Sequence, residues 1–165
     1  MDYIAFLKSP LGNIMLSSDG SSLTGLWFEK QKYFGENLDK IYEEKELPVF
    51  EKTFKWLDIY FSGEEPDFTP KIKMKTTEFR KKVWEILLSI PYGETMTYKE
   101  IAEIIAKENN YSKMSAQAIG GAVGHNAISI IIPCHRVVGT NGKLTGYASG
   151  IDKKLFLLNL EKASL

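Results

Sequence analysis

Residues 97–124, TYKEIAEIIAKENNYSKMSAQAIGGAVG, contain the pattern that predicts the fold of the second half of the chain. Thr97 is followed three positions later by Glu100, the spacing of a capping box, which predicts that a helix begins here. Isoleucines recur at helical spacing after Glu100, and a second short helix is predicted from about residue 115 to 124. Two short helices joined by a tight polar turn predict a helix-turn-helix.

The second of these helices carries small residues on one side. Its apolar face holds Ile119, Ala122 and Val123, and the opposite face holds Gln117, Gly121 and Gly124. A glycine inside a helix costs about 0.5–1 kcal/mol relative to alanine, so these glycines need a reason. One reason is close packing against another helix. The other is that a small face lets the backbone approach a ligand surface such as DNA.

Further elements are predicted on both sides of this pair. A helix is expected from about Thr76 until Pro91-Tyr92-Gly93 breaks it. A buried strand is expected at 128–132, halted by Pro133. The last helix is expected at 151–161, with Leu155 and Leu158 on its inner face.

The first half of the chain has a different pattern. Short apolar runs at residues 3–7, 12–16 and 23–28, separated by Gly, Pro and Ser, predict an antiparallel meander. Residues 48–61 then show helical spacing of large apolar side chains. A Lys-rich connector with two prolines follows. We therefore expect an α/β (α+β) domain with an antiparallel sheet and a helix at 1–75, and a mainly α domain with the helix-turn-helix at 76–165.

Composition limits the class of protein. Apolar residues make up 44% of the chain, enough for a buried core, and no apolar run is long enough to span a membrane. The N-terminus does not resemble a signal peptide. The single cysteine allows no internal disulfide, which favours a reducing, cytoplasmic compartment. One cysteine and two histidines make a zinc site hard to build, so we expect neither metal nor cofactor.

The formal net charge is zero, but the two halves differ. Residues 1–75 carry 10 Lys and 13 Asp or Glu, whereas residues 76–165 carry 11 Lys or Arg and 8 Asp or Glu. An anionic partner would therefore favour the second half. The alternative is that these charges are ordinary solvated surface.

The segment IPCHRVV, residues 132–138, carries the chemistry. A lone cysteine is often an inert apolar residue, and a cysteine beside a histidine is by itself a weak sign of a nucleophile. Here PCHRV follows a small-residue helix and Asn126, and this arrangement resembles the active-site signature of the O6-alkylguanine-DNA alkyltransferases, also called methylated-DNA–protein-cysteine methyltransferases. The resemblance covers residues 76–165. Residues 1–75 resemble the family's smaller domain only in length and in strand–helix order.

The resemblance implies a fold and an activity. The first domain is expected to be ribonuclease-H-like and the second winged-helix-like. The protein is expected to be a monomer that binds the minor groove of double-stranded DNA, flips an O6-alkylguanine out of the helix and transfers the alkyl group irreversibly to its own cysteine. O4-alkylthymine is a further expected substrate.

The resemblance also assigns five catalytic residues. Cys134 is the nucleophile, and His135 activates it through a water, oriented by Glu161. Asn126 ties the turn around the site, and Tyr98 contacts guanine N3 and passes a proton to the departing base. The alternatives are a solvated carboxylate for Glu161, packing for His135, a plain helix end for Asn126 and a core aromatic for Tyr98.

Two further groups follow from the resemblance. The guanine pocket is assigned to Val123, Val137, Tyr147 and Ala148, with backbone groups of Val137 and Ala148 reading the guanine edge and Tyr147 forming the pocket wall. The DNA-binding surface is assigned to Ser115, Ala116, Gln117, Gly120, Gly121 and Gly124. Gln117 departs from the family, which places an arginine here to fill the space of the flipped base. Arg136 suits an internal ion pair.

Two other functions remain open at this point. A lesion sensor of this fold would bind damaged DNA without a nucleophile, but Cys134 is present. A Cys–His hydrolase would need an oxyanion hole, which no part of the sequence marks. For the alkyltransferase, the adjacent base predicts a depressed thiol pKa at Cys134.

Overall fold

The computed structural model describes residues 1–163 and divides them into two compact units. The first unit comprises residues 1–75 together with 127–131, and the second comprises 76–126 with the residues from 132 onward. The segment 127–131 therefore belongs to the first unit, although it lies in the second half of the chain. A single domain boundary at residue 75 does not describe this arrangement.

The first unit contains a four-stranded sheet and one helix. The strands are β1 (Asp2–Ser9), β2 (Gly12–Ser18), β3 (Leu23–Phe28) and β4 (Tyr42–Glu44), in the order β3-β2-β1-β4, and the helix is α1 (Pro48–Phe61). The predicted meander is confirmed as β1 to β3, with Phe6 opposite Met15 in the first pair. The expectation of an antiparallel sheet holds for these three strands only, because the fourth strand, β4, pairs parallel to β1. The short, exposed β4 has no apolar alternation from which it could have been predicted.

The core of the first unit lies between the sheet and α1. The strands contribute Ile14, Leu16, Leu23, Leu26 and Phe28, and the helix contributes Phe50, Leu57 and Tyr60, all essentially without exposed surface. Gly25 is required by packing, since a Cβ there would lie 2.1 Å from the Trp27 ring. The predicted helix at 48–61 is thus confirmed together with its buried face.

The strand predicted at 128–132 is wrong. Residues 127–131 form turns that meet β3 at a single bridge between Leu26 and Ile128. Leu26 N–H donates to the Ala127 carbonyl at 2.7 Å, and Ser129 N–H donates to the Leu26 carbonyl at 3.0 Å. Ile130 then has φ +69°, which ends any extended conformation. The apolar run reflects burial of this segment and not a strand.

The second unit is mainly helical. Its helices are α2 (Glu78–Leu88), α3 (Tyr98–Glu108), α4 (Ala116–Gly124) and α5 (Ile151–Leu160). Two short strands, β5 (Met96–Thr97) and β6 (Val137–Val138), pair in parallel. The capping box of Thr97 and Glu100 is present, and Ser115 caps α4 by accepting from the Ala118 N–H at 3.0 Å.

Helices α2, α3 and α4 pack against one another, and the buried Trp84 of α2 donates its indole N–H to the Ala122 carbonyl of α4 at 2.9 Å. The connection between α3 and α4 runs over residues 109–115, longer than the tight turn that the sequence suggested and than the three or four residues usual in a helix-turn-helix. On α5 the inner face is formed by Leu157 and Leu158, while Leu155 is 38% exposed, so its expected inward position is wrong. Within residues 1–163, no helix is both long enough and apolar enough to cross a membrane.

Candidate active site

The cysteine lies at the start of a 3-10 helical turn, Cys134–Arg136, directly after Pro133. Its backbone N–H donates to the Ile132 carbonyl at 2.8 Å, and the same carbonyl accepts from Asn126 Nδ2 at 2.7 Å. Asn126 is itself buried, so it fixes the backbone immediately before the nucleophile. Cys134 is 5% exposed and is a free cysteine.

Burial dominates the electrostatics of the thiol. Desolvation raises the pKa of Cys134, and hydrogen bonding by Asn126 and the positive charge of Lys154 only partly oppose it. The expected depressed pKa is therefore wrong for the free protein, because burial disfavours the thiolate more than Asn126 and Lys154 favour it. Alkyl transfer from this site requires that the proton be removed during the reaction.

His135 and Arg136, the two residues after the nucleophile, converge on one carboxylate. His135 Nε2 lies 2.6 Å from Glu161 Oε2. Arg136 binds the same carboxylate with both arms of its guanidinium, Nε to Oε1 at 2.8 Å and Nη2 to Oε2 at 3.1 Å. The Gly93 N–H adds a further hydrogen bond to Oε1 at 3.1 Å. The network includes the internal ion pair expected of Arg136.

The protonation states in this network follow from its contacts. Burial disfavours the charge of Glu161, but the hydrogen bonds from His135 and Arg136 outweigh it and hold the pKa of Glu161 well below its usual value. Burial lowers the pKa of His135, against the opposing effect of Glu161. The resting site therefore holds a carboxylate and a neutral imidazole.

Tyr98, the first residue of α3, lies between α4 and the loop that precedes α5. Its hydroxyl donates to the carbonyls of Thr145 and Gly146 at 3.3 and 3.4 Å, both long for a hydroxyl donor. A Cβ at Gly120 would lie 4.0 Å from the Tyr98 ring, an ordinary van der Waals distance, so the ring lies beside this turn of α4. Burial raises the pKa of Tyr98, and the phenol keeps its proton at neutral pH.

Only some of the residues assigned to the guanine pocket have accessible surface. Val123 and Val137 are buried, while Tyr147 and Ala148 are half-buried. Val137 N–H closes the 3-10 turn on the Cys134 carbonyl, and β6 begins at the same residue. The assigned roles of Val137 and Ala148 use backbone groups, which is compatible with the burial of the valine.

The small-residue face of α4 is open. A Cβ at Gly121 or Gly124 would meet no atom of residues 1–163 within 4 Å. Gln117, Ser115 and Ala116 are also exposed. Tight helix packing therefore does not explain Gly121 or Gly124.

One residue at this site was missed by the sequence reasoning. Lys154 on α5 has no exposed surface, and its Nζ donates to the Thr145 carbonyl at 2.8 Å. Burial lowers its pKa to about 8, against the opposing effect of Cys134. The signal was present, because Lys154 precedes Leu157, Leu158 and Glu161 by three, four and seven positions and so shares their helical face.

Sequence comparison identifies the family. The pattern described as the 6-O-methylguanine DNA methyltransferase DNA binding domain matches residues 78–163, and the ribonuclease-like domain of the same family matches residues 3–74. A methylated-DNA–protein-cysteine methyltransferase of Methanosarcina acetivorans is 46% identical over 96% of this chain and 97% of its own length. The Mycobacterium tuberculosis protein of that name is 41% identical over 95% and 90%.

Solved structures agree with this relationship. The crystal structure of Mycobacterium tuberculosis OGT in complex with DNA matches with a TM-score of 0.83 and 40% identity, covering 97% of this chain and 92% of the other. The O6-methylguanine-DNA methyltransferase of Pyrococcus kodakaraensis matches with a TM-score of 0.67 and 27% identity, covering 98% and 99%. The chain therefore belongs to the 6-O-methylguanine DNA methyltransferase family, a family of enzymes.

Proposed function

We propose that this protein repairs DNA by taking the alkyl group from O6 of guanine and keeping it on Cys134. The observation that carries the proposal is the environment of the chain's single cysteine. The backbone before it is fixed by a hydrogen bond from Asn126, and the histidine after it is hydrogen-bonded to a buried carboxylate. Its relatives are named for methyl transfer from DNA to a protein cysteine. Within this family, the cysteine of this chain is the natural acceptor.

The roles of the residues follow from their protonation states. His135 takes the thiol proton as the sulfur attacks, and Glu161 stabilises the imidazolium that forms. The S–C bond forms while the C–O6 bond breaks, and the bonding pair leaves with the guanine. Tyr98 gives the guanine a proton, which matters because an anionic base is a poor leaving group. The imidazolium of His135 then returns its proton to the phenolate of Tyr98, so one proton has moved from the sulfur to the guanine and the net change is the transfer of the alkyl group.

The reaction is proposed to occur once per molecule. The product is a thioether, in which no good leaving group is present to release the alkyl group again. Each protein molecule then repairs one lesion, and no cofactor is consumed. We propose O4-alkylthymine as a second substrate, since it presents the same alkyl–oxygen bond on a flipped base.

DNA is proposed to lie against the small-residue face of α4. The minor groove suits this face, since its code is degenerate and a lesion scanner needs no sequence preference. Ser115, Ala116 and the glycines allow close approach of the backbone, and Gln117 fills the space of the flipped base. The target atom lies inside the duplex, so the base must rotate out at a cost of a few kcal/mol.

The domain roles complete the proposal. Residues 76–165 act as the DNA-binding and alkyl-acceptor domain, with a winged-helix-like arrangement of α3, α4 and the short β5–β6 pair. Residues 1–75 act as a ribonuclease-H-like companion domain. The protein works as a monomer in the cytoplasm, where its single thiol stays reduced.

Mass spectrometry after mixing with duplex DNA containing O6-methylguanine tests the proposal. The expected result is a gain of one methylene in mass on the peptide containing Cys134, at most one per molecule, and none in Cys134→Ser. Binding of the lesion without a mass gain would identify a sensor instead. Turnover of an acyl substrate without stable modification would identify a hydrolase.

A further inference from the structure

The turn at residues 90–93, which follows α2, lies against the buried ion pair of Arg136 and Glu161. The carbonyl of Ile90 accepts a hydrogen bond from Arg136 Nη1 at 2.7 Å. The N–H of Gly93 donates to Glu161 Oε1 at 3.1 Å. One end of the turn thus holds the cation through a main-chain acceptor, and the other end holds the carboxylate through a main-chain donor.

Tyr92 adds a third contact from the same turn. Its half-buried ring lies with its centre 5.7 Å from the guanidinium carbon of Arg136, within the range of a cation–π interaction. The Arg136 side chain is 11% exposed, and that of Glu161 is not exposed at all. The turn therefore contacts both members of the ion pair where the pair is almost completely removed from water.

Gly93 must be a glycine for two independent reasons. Its φ of +81° lies in the left-handed region, which side-chain-bearing residues rarely adopt. A Cβ at this position would also lie 3.2 Å from the backbone carbonyl oxygen of Glu161, closer than an ordinary van der Waals contact. Any side chain here would push the turn and the end of α5 apart by a few tenths of an ångström. The hydrogen bond from the Gly93 N–H to the carboxylate therefore depends on the absence of a side chain.

The hydrogen bonds to the two oxygens of Glu161 show what this contact contributes. Oε1 accepts from Arg136 Nε and from the Gly93 N–H, and Oε2 accepts from His135 Nε2 and from Arg136 Nη2. Of these four donors, the Gly93 N–H alone belongs to the main chain. Side-chain donors can rotate together with the carboxylate, whereas a main-chain donor in a fixed turn defines its orientation.

The turn itself is held on its C-terminal side. The Glu94 N–H donates to the Pro91 carbonyl at 3.0 Å, which closes the turn. Strand β5 begins shortly after, and its Met96 pairs with Val137 of β6, the residue that follows Arg136. The donor on Gly93 is therefore part of a backbone segment that is tied directly to the segment carrying the nucleophile.

We infer that Gly93 is a positioning residue of the alkyl transfer reaction. Its N–H holds Oε1 of Glu161, and this keeps Oε2 in place as the acceptor for His135. The imidazole is thereby held in the orientation from which it takes the proton of Cys134. This inference rests on the proposed function and adds to it a main-chain group that does not touch the substrate.

The test uses nitrogen NMR of isotope-labelled histidine at pH 7, because the ring shifts report which nitrogen carries the proton. The chain has two histidines, so His125→Gln identifies the signals of His135. The variant is Gly93→Ala. Gly12→Ala is the matched control: Gly12 has φ +105°, and a Cβ there would meet no atom of residues 1–163 within 4 Å. Maximal single-turnover rates with saturating free O6-benzylguanine are measured on the same proteins.

We expect Gly93→Ala to increase the fraction of His135 that carries its proton on Nδ1 and to lower the maximal rate about tenfold, a part of the 10²–10⁴-fold that a general base typically contributes. Gly12→Ala should change neither quantity, although it introduces a comparable backbone strain. Unchanged His135 signals in a folded Gly93→Ala protein would overturn the inference. The NMR readout needs no alkyl transfer, so this outcome is distinct from a failure of the wild type to accept a methyl group from DNA.

Gly93→Asn separates backbone strain from the contact with Glu161 and serves if Gly93→Ala does not fold. Asparagine tolerates the left-handed region better than alanine, but its Cβ would still lie against the Glu161 carbonyl. Gly93→Asn should therefore be more stable than Gly93→Ala and still show the altered His135 signals and the reduced rate. Wild-type signals and a wild-type rate in Gly93→Asn would show that the close approach to Glu161 has no part in the reaction and would also overturn the inference.

Discussion

His135 Nε2 donates a hydrogen bond to Glu161 Oε2 across 2.6 Å, and neither side chain exposes any surface. The direction of the bond follows from charge, because a carboxylate accepts hydrogen bonds and cannot donate them. Nε2 therefore carries the proton of the neutral ring, and the lone pair is on Nδ1. The hydrogen bond to Glu161 therefore orients His135 as a base whose accepting nitrogen is Nδ1.

Replacement of Glu161 by Gln should lower both stability and rate. The change leaves Arg136 buried without its counter-ion, for which we expect a loss of about 3–5 kcal/mol in the free energy of unfolding, measured in urea at pH 7. The amide can also donate to His135, which would move the ring proton to Nδ1 and remove the base. Glu103→Gln, on the exposed side of α3, is the control and should change neither quantity.

The stability difference should depend on pH in a defined direction. The pKa of Glu161 is lower in the folded protein than its usual value of 4.5, so its contribution is fully present above that pH and is lost as the pH falls. The gap between the wild type and Glu161→Gln should narrow below about pH 4.5. A constant gap down to pH 3 would contradict the assigned ion pair.

Loss of the histidine should affect chemistry more than binding. His135→Ala removes the group that takes the thiol proton from a buried cysteine, and general-base catalysis typically contributes about 10²–10⁴-fold. We expect a reduction of that order in the single-turnover rate with methylated duplex DNA, while DNA affinity stays near that of Cys134→Ser. A wild-type rate in His135→Ala would reduce the residue to a packing role.

Much of the fold could be predicted because local signals are strong. Thr97 with Glu100, and Thr77 before α2, are caps that act within one turn of helix, and the structure contains both. The segment 127–131 and strand β4 could not be predicted, because their conformations depend on distant partners. Ile128 meets β3 from about a hundred residues away in sequence, and no local pattern specifies that meeting.

The sequence was sufficient to name residues of the site, but not to predict the pKa of its thiol. The motif named Cys134 and His135, and the helical spacing of Lys154 was visible in the sequence. A thiol pKa, however, is the balance between burial and neighbouring charge, and burial is a property of the folded unit. The expectation of a depressed Cys134 pKa considered only the adjacent base, whereas desolvation is the larger effect.

Burial of the Lys154 ammonium group should lower the stability of the folded protein. The pKa of Lys154 falls from 10.5 to about 8 on folding, which corresponds to a cost of about 3 kcal/mol at most. This cost to the free energy of unfolding is fully present below about pH 8 and fades as the pH rises to 10.5, the pKa of lysine in the unfolded chain. Lys154→Met should therefore unfold at a higher temperature than the wild type at pH 7, with a smaller gain near pH 10. If Lys154→Met and the wild type had the same melting temperature at both pH values, the burial of the ammonium group would already be compensated in the wild type.

The open face of α4 predicts a clear difference between two substitutions at one position. A Cβ at Gly121 would meet no atom of residues 1–163 outside its own turn of helix within 4 Å, so Ala adds no clash and the side chain of Glu would start from an open position. Gly121→Glu adds bulk and a negative charge against the proposed DNA surface and should weaken duplex binding at least tenfold in a fluorescence titration. Gly121→Ala should bind much more tightly than Gly121→Glu. If Gly121→Glu binds normally with normal salt dependence, DNA does not dock on this face.

Gln117 lies on the same exposed face and is the residue proposed to fill the space of the flipped guanine. A side chain inserted into the vacated stack slows the return of the base, and the exposed position means that its removal should not disturb folding. Gln117→Ala should therefore slow the repair of duplex DNA much more than the reaction with free O6-benzylguanine, which needs no flipping. Both rates are measured under single-turnover conditions.

The arginine variant separates volume from charge at this position. Glutamine supplies volume and neutral hydrogen bonds, whereas arginine adds a positive charge attracted to the negative groove. Gln117→Arg should keep or raise the duplex rate and steepen its dependence on salt, with no effect on free O6-benzylguanine. Equal losses on duplex and free base in Gln117→Ala would instead place the side chain in the structure of the pocket. No loss on either substrate would mean that a different residue, or none, holds the duplex open, and Gln117 would then be an exposed helix residue without a part in base flipping.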